Sequence, residues 1–275
     1  MKRYLVRRRL QNSLITLAIV AGLGAYVRHR RLALASTSFF TGWILLIGLI
    51  FLSLLNVRKR VAAPPVGSAA GWLQAHIYVG LAAAPVWLMH APLRWPNGFL
   101  ESCLAALFAA TWVSGVVGLY WTRTLPRRIS RVGEEIVYEQ ASQLRSQLRD
   151  RAQAAVLGVV RTSGDAALGE FYHQRLQGYF DQEPGWRARC LPAPTLRKKL
   201  LAELTEATRY LSDTERKTAE ELFSLIRKRD AVDYHEALQW RLKTWLIVHL
   251  ALVWPLLLTA ATHAWLAHLF SGGAG

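Results

Sequence analysis

Apolar and charged positions divide the chain into three stretches. Four long apolar runs occupy residues 10–27, 36–57, 69–92 and 99–122, separated by short polar connections. Residues 123–243 place apolar residues at helical spacing among frequent charges, and a last apolar run covers 244–270. At 1.5 Å per residue, a run of about twenty residues crosses a hydrocarbon core of about 30 Å, a length that the first run barely reaches. The pattern predicts an all-α fold: a polytopic membrane helical bundle of about five transmembrane helices, with a helical cytoplasmic insert between helices four and five. The domain boundaries follow, with 1–122 holding helices one to four, 123–243 the insert, and 244–275 helix five and a short tail.

The opening "MKRYLVRRR" before an apolar core has the outline of a signal peptide, but "VRHRR" follows directly where a small-residue cleavage site is required. An uncleaved first helix is expected. In the insert, "SDTERKTAEELFSLIRKR" begins with Ser212 three positions before Glu215, a capping-box pattern, and "PAPTLRKKLLAEL" begins a helix at Thr195 after a proline. The last helix is expected to start near Asp230 and to meet Pro255, a candidate kink.

Composition agrees: 52% of the residues are apolar and eleven are Trp, yet 34 Lys and Arg outnumber 18 Asp and Glu for a formal charge of +16. Basic residues cluster between the runs, as at the cytoplasmic face of a bilayer. The N-terminus, Arg58 to Arg60 and the insert carry most of them, against Arg94 alone between helices three and four, so N-terminus and insert are expected in the cytoplasm. Arg28, Arg30 and Arg31 run against that orientation. No zinc-finger spacing, basic zipper or aromatic RNA-binding motif accompanies the charge, and no nucleic-acid partner is expected. Two cysteines, Cys103 and Cys190, cannot by themselves build an iron–sulfur or structural zinc site, and no C-x-x-C-H is present for covalent haem.

Chemistry concentrates in four histidines. His76 and His90 lie fourteen apart in run three, and His249 and His263 lie fourteen apart in run five. Fourteen residues are close to four helical turns, a net rotation of about 40 degrees and a rise of roughly 21 Å. Each helix therefore offers two imidazoles on nearly one face. Under the orientation above the two helices run the same way, so His76 matches His249 in depth near the inner surface, and His90 matches His263 near the outer one. Two haems stacked across a bilayer need that arrangement, because each low-spin iron takes one axial nitrogen from each of two facing helices. His268 reads as an end-of-helix residue, and His29, His173 and His235 as surface or loop residues.

The doubled H-x13-H pattern resembles the integral membrane di-haem b cytochromes. Respiratory cytochrome b carries it on its second and fourth helices, and the transmembrane ferric reductase and NADPH oxidase type carries similar pairs on its third and fifth, as His76, His90, His249 and His263 do here. The chain departs from that second group in having no flavin or nicotinamide domain after the fifth helix, no sixth helix, and an insert of about 120 residues. The P-E-W-Y motif of quinol oxidation is absent too. The resemblance implies two haem b groups, and a subunit moving electrons across a bacterial-type inner membrane between redox partner proteins, with quinone a further candidate partner. It implies an electron-transfer part of an oxidoreductase rather than a complete enzyme. The alternatives are a haem-free signalling or scaffolding protein and a self-contained ferric or oxygen reductase.

Supporting positions are ordinary residue types. Gly42, Gly48, Gly80, Gly115 and Gly118 could give a porphyrin clearance or simply pack helices. Arg94, Arg241 and Lys243 could neutralise propionates or anchor the interface, and Trp72, Trp95, Tyr120, Trp121, Trp240 and Trp245 fit an aromatic belt. Glu134 and Glu135, about 100 degrees apart on a helix, form no acid/base pair. The insert offers no phosphate loop, zinc-protease motif or nucleophile elbow, and reads as a docking element for a soluble partner.

Overall fold

The computed structural model describes residues 2–60, 68–91, 96, 98–129, 138–163, 167–186, 189 and 195–271. Among them the chain is all helical: α1 (Lys2–Leu32), α2 (Ser38–Arg60), α3 (Ala69–His90), α4 (Phe99–Ile129), α5 (Ala141–Ser163), α6 (Ala167–Phe171), α7 (Gln177–Asp181), α8 (Thr195–Ala207) and α9 (Asp213–Ser271). A π-type turn, Tyr172–Leu176, joins α6 to α7. Five spans among the described residues are long and apolar enough to cross a membrane: Val6–Leu32, Ser38–Leu55, Ala69–His90, Phe99–Pro126 and a stretch of α9. The chain is a multi-pass helical membrane protein. Arg94, Trp95, Glu134, Glu135 and Cys190 lie outside the described residues.

Two helices start earlier than the apolar pattern suggests. The first takes in the arginines on both sides of its apolar run, because Arg is a good helix former and neither flank holds a breaker. It ends in a Schellman cap in which the Ala35 N–H donates to the Arg30 carbonyl at 3.0 Å and the Leu34 N–H to that of Arg31 at 3.0 Å. The left-handed residue of the cap is Leu34, φ 56°, where glycine is usual. The last helix does not begin near Asp230. It runs from Asp213, since no Gly or Pro interrupts the sequence before Pro255. The start is the capping box expected from sequence: the Ser212 N–H donates to Glu215 Oε2 at 3.1 Å. Glu215 is fully buried and also accepts the Leu168 N–H of α6 at 3.1 Å, tying two helix starts together.

The chain divides into two compact units, Met1–Tyr120 with Trp245–Gly275, and Trp121–Thr244. In the first unit α3 packs against both α1 and α2. Ser68 caps α3, accepting the Gly71 N–H at 3.1 Å. Its outward side chains, among them Ile19, Ile47, Trp254 and Leu258, are large, apolar and exposed, as lipid contact requires. The second unit has a water-soluble protein's core, with Leu168, Leu176, Leu204, Leu222, Leu225 and Ile226 excluded from solvent.

Several buried charges in the second unit form one paired cluster. Arg229, 2% exposed, donates to the Phe180 carbonyl at 2.8 Å and the Gln182 carbonyl at 2.6 Å, and pairs with Asp233 at 3.1 Å. Arg145 pairs with Glu236 and Asp233, and Arg189 reaches Glu236 at 3.2 Å. Burial raises the Asp233 carboxyl above its usual range, against the pull of Arg229 and Arg145. His235 corrects the sequence reading. It is 1% exposed rather than a surface residue, because its stretch of α9 also buries Val232, Ala237 and Leu238. His29 and His173 are exposed, as expected.

Candidate functional site

The membrane unit contains two apolar cavities. His76 and His249 line the first, with Gly80 of α3 and Gly115 of α4. His90 and His263 line the second, with Gly42 and Trp43 of α2. Leu49, Phe108 and Leu256 border both. Phe108 also stacks on Trp87 with ring centroids 5.3 Å apart. The four histidines singled out by their spacing thus fall in two pairs, each with one member from α3 and one from α9.

Three of the rings are held at Nδ1. His76 Nδ1 lies 3.2 Å from the Leu52 carbonyl. A carbonyl only accepts, so Nδ1 carries the proton and the lone pair belongs to Nε2. His90 Nδ1 faces the Ser38 carbonyl at 3.0 Å and Thr41 Oγ1 at 3.1 Å. Thr41, fully buried, gives its own proton to the Thr37 carbonyl at 2.9 Å and is thereby left to accept from His90. His249 Nδ1 lies 3.2 Å from Ser114 Oγ. A second-shell oxygen at one ring nitrogen fixes the plane and tautomer of a ligating imidazole, which is how proteins orient metal-binding histidines.

A glycine sits beside two of these rings. A Cβ on Gly42 would stand 3.1 Å from His90 Cε1, and one on Gly115 would stand 3.7 Å from His249 Cε1. Each glycine directly follows the hydroxyl residue that holds the same ring, Thr41-Gly42 on α2 and Ser114-Gly115 on α4. The expected clearance role therefore divides among the glycines. Gly42, Gly80 and Gly115 line cavities, whereas the space over Gly118 is filled by the Trp245 indole, 1.7 Å from where a Cβ would be. Trp245, expected in an aromatic belt, turns inward. Its Nε1–H donates to the Ser114 carbonyl at 2.8 Å, and its ring stacks on His249 with centroids 5.6 Å apart.

Comparison with known proteins decides nothing further. The chain matches no protein-family model, no curated protein and no solved structure.

His268 lies exposed in the last turn of α9, the end-of-helix position expected of it. It lines the second cavity, edge-on to Phe39 and Trp43 at 5.3 and 5.5 Å between centroids. Lys243, a candidate propionate partner, pairs instead with Glu139 at 2.7 Å and lies over the Tyr138 ring. Thr111 and Trp112 of α4 also line the first cavity, and Thr111 Oγ1 and Trp112 Nε1 are buried without a hydrogen-bond partner among the described residues. Each such atom costs about 1–3 kcal/mol when left unanswered. Sequence reasoning passed over Thr41, Thr111, Trp112 and Ser114, and placed Trp245 in an aromatic belt. The one signal available was the hydroxyl–glycine dipeptide repeated on two membrane helices.

Proposed function

We propose that this protein is a membrane-integral di-haem b cytochrome, moving electrons across a bacterial-type inner membrane as a subunit of a larger redox system. Its N-terminus and insert face the cytoplasm, and the insert docks a redox partner. The observation that carries the reading is the pairing of His76 with His249, and of His90 with His263, at separate apolar cavities. The His90 and His263 ring centroids lie 6.4 Å apart with the planes at 88°. Two imidazoles sharing one metal through nitrogens about 2.0 Å from it put their centroids roughly 6 Å apart, so the separation suits an axial pair.

Haem, when bound, supplies reversible one-electron chemistry. The chain's own residues do the rest. His76, His90, His249 and His263 would hold the group, and the Leu52 and Ser38 carbonyls with the Thr41 and Ser114 hydroxyls orient three of those rings, His76, His90 and His249. The apolar walls exclude water and favour the charge state with least net charge. Phe108, with Leu49 and Leu256, borders both cavities.

Vesicles enclosing ferricyanide, with purified protein in their membrane and an impermeant reductant outside, test the reading. Internal ferricyanide should be reduced at least about ten-fold faster than in empty vesicles, and the gain should vanish in His249→Ala or His263→Ala. A rate equal to that of empty vesicles, from protein carrying both haems, contradicts transmembrane electron transfer. Protein that stays colourless with haem in excess favours the scaffolding alternative.

A further inference from the structure

The four candidate ligands are not held alike. His76, His90 and His249 each face an oxygen at Nδ1, whereas no oxygen among the described residues hydrogen-bonds the His263 ring. Among those residues the ring meets His90 edge-on, 6.4 Å between centroids. Steric support differs in the same sense. One turn either side of His249 on α9 stand Trp245, stacked on the imidazole with centroids 5.6 Å apart, and Val253, which lines the first cavity. One turn either side of His263 stand Ala260 and Ala267, which border the second cavity with a methyl each. The alanines leave the imidazole room to turn about its side-chain bonds. Across the same cavity His90 is fixed by the Ser38 carbonyl and the Thr41 hydroxyl at Nδ1, and by Gly42 close against Cε1.

An imidazole whose second nitrogen donates to an oxygen is a more basic and better-oriented ligand, and loss of such a partner weakens metal binding about 10–100-fold. His263 is the member of the set that lacks one among the described residues. We propose that His263 is the exchangeable ligand, so that the second cavity, and not the first, admits a small uncharged exogenous ligand in its place. The inference rests on the di-haem reading. In the exchange the bond from His263 to iron breaks and a bond from the incoming ligand forms, with no electron or proton transferred. The lining selects by charge: walls such as Leu45, Leu46, Leu104 and Phe108 offer an anion nothing in return for its hydration, while a neutral diatomic molecule loses little on entry.

Carbon monoxide is the probe, because it is neutral, binds ferrous haem and is read from the Soret shift without turnover. Dithionite-reduced full-length protein carrying both haems should take up one equivalent per chain. Two one-haem forms, each low-spin before the gas is added, then assign the site. His249→Ala, which keeps the haem of the second cavity, should bind carbon monoxide at least about ten-fold more tightly than His90→Ala, which keeps that of the first. Ala267→Leu, which fences the His263 ring as Trp245 and Val253 fence His249, should slow uptake by the two-haem protein at least about three-fold. Its measurement and the wild-type stoichiometry decide the matter if either one-haem form is empty. Uptake of none or two equivalents, equal or reversed affinities in the one-haem forms, or an unchanged rate in Ala267→Leu overturns the inference and leaves the di-haem reading standing. A chain that binds no haem fails that reading and the inference with it.

Discussion

Buried polarity is arranged differently in the two units. In the insert the arginines and carboxylates close on one another, Arg229, Arg145, Asp233 and Glu236 with the Phe180 and Gln182 carbonyls, while Arg189 Nε and both His235 nitrogens are enclosed without a hydrogen-bond partner among the described residues. In the membrane unit it is directed at cavities. His76, His90 and His249 are each held at one ring nitrogen by an oxygen behind them, and the rings line space rather than a packed core. A residue type therefore says little by itself. His235, enclosed in the insert, and His249, beside a cavity, share a side chain and differ in what surrounds it. Closed polarity stabilises a fold, and polarity left facing a cavity is what a ligand can use.

Three substitutions sharpen or break that contrast. Arg229→Leu should destabilise the insert by about 2–4 kcal/mol, since it takes the donor from the Phe180 and Gln182 carbonyls and leaves Asp233 with Arg145 as its remaining arginine partner. Circular dichroism melting of the full chain would show it, while haem absorbance at low temperature should stay within a tenth of wild type. Equal loss of both signals would mean that the two kinds of polarity are not separable.

Gly118→Ala should act in the other direction. The new methyl would overlap the Trp245 indole, so Trp245 must leave its stack on His249, at a cost of about 1–3 kcal/mol. If the proposed haems are bound, the electron-spin signal of the one at His249 should change while that of the one at His90 does not. Identical spectra for variant and parent would show that Trp245 has no hold on the ring.

The smallest effect is the pH response of the insert. Burial depresses the His235 imidazole below its ordinary value near 6.5. The unfolded chain then binds the extra proton first. Stability is complete above about pH 6.5 and falls as pH drops toward the folded value, by at most about 1.4 kcal/mol per pH unit. His235→Leu should flatten the slope of melting temperature between pH 7.5 and 5.5. An unchanged slope assigns the response to other groups.

How much of this was legible in the sequence depends on how far apart the interacting parts are. The apolar runs, the Ser212–Glu215 cap and the fourteen-residue histidine interval are properties of single helices, and periodicity reads them directly. The starts of α1 and α9 were placed too late because arginine-rich and charged flanks continue a helix as well as apolar ones do. The Nδ1 partners, the inward turn of Trp245 and the unanswered Thr111 and Trp112 depend on which helix faces which. His235 was misread for a related reason: one buried histidine among charged neighbours has the same local sequence as an exposed one.

The most direct test of the account is the haem content per chain of purified protein, counted by pyridine haemochrome against amino-acid analysis. The account predicts two haem b per chain, one in His249→Ala, one in His90→Ala and none in the double variant, with low-spin spectra throughout. A haem-free chain contradicts it, as does one whose haem content is indifferent to both substitutions.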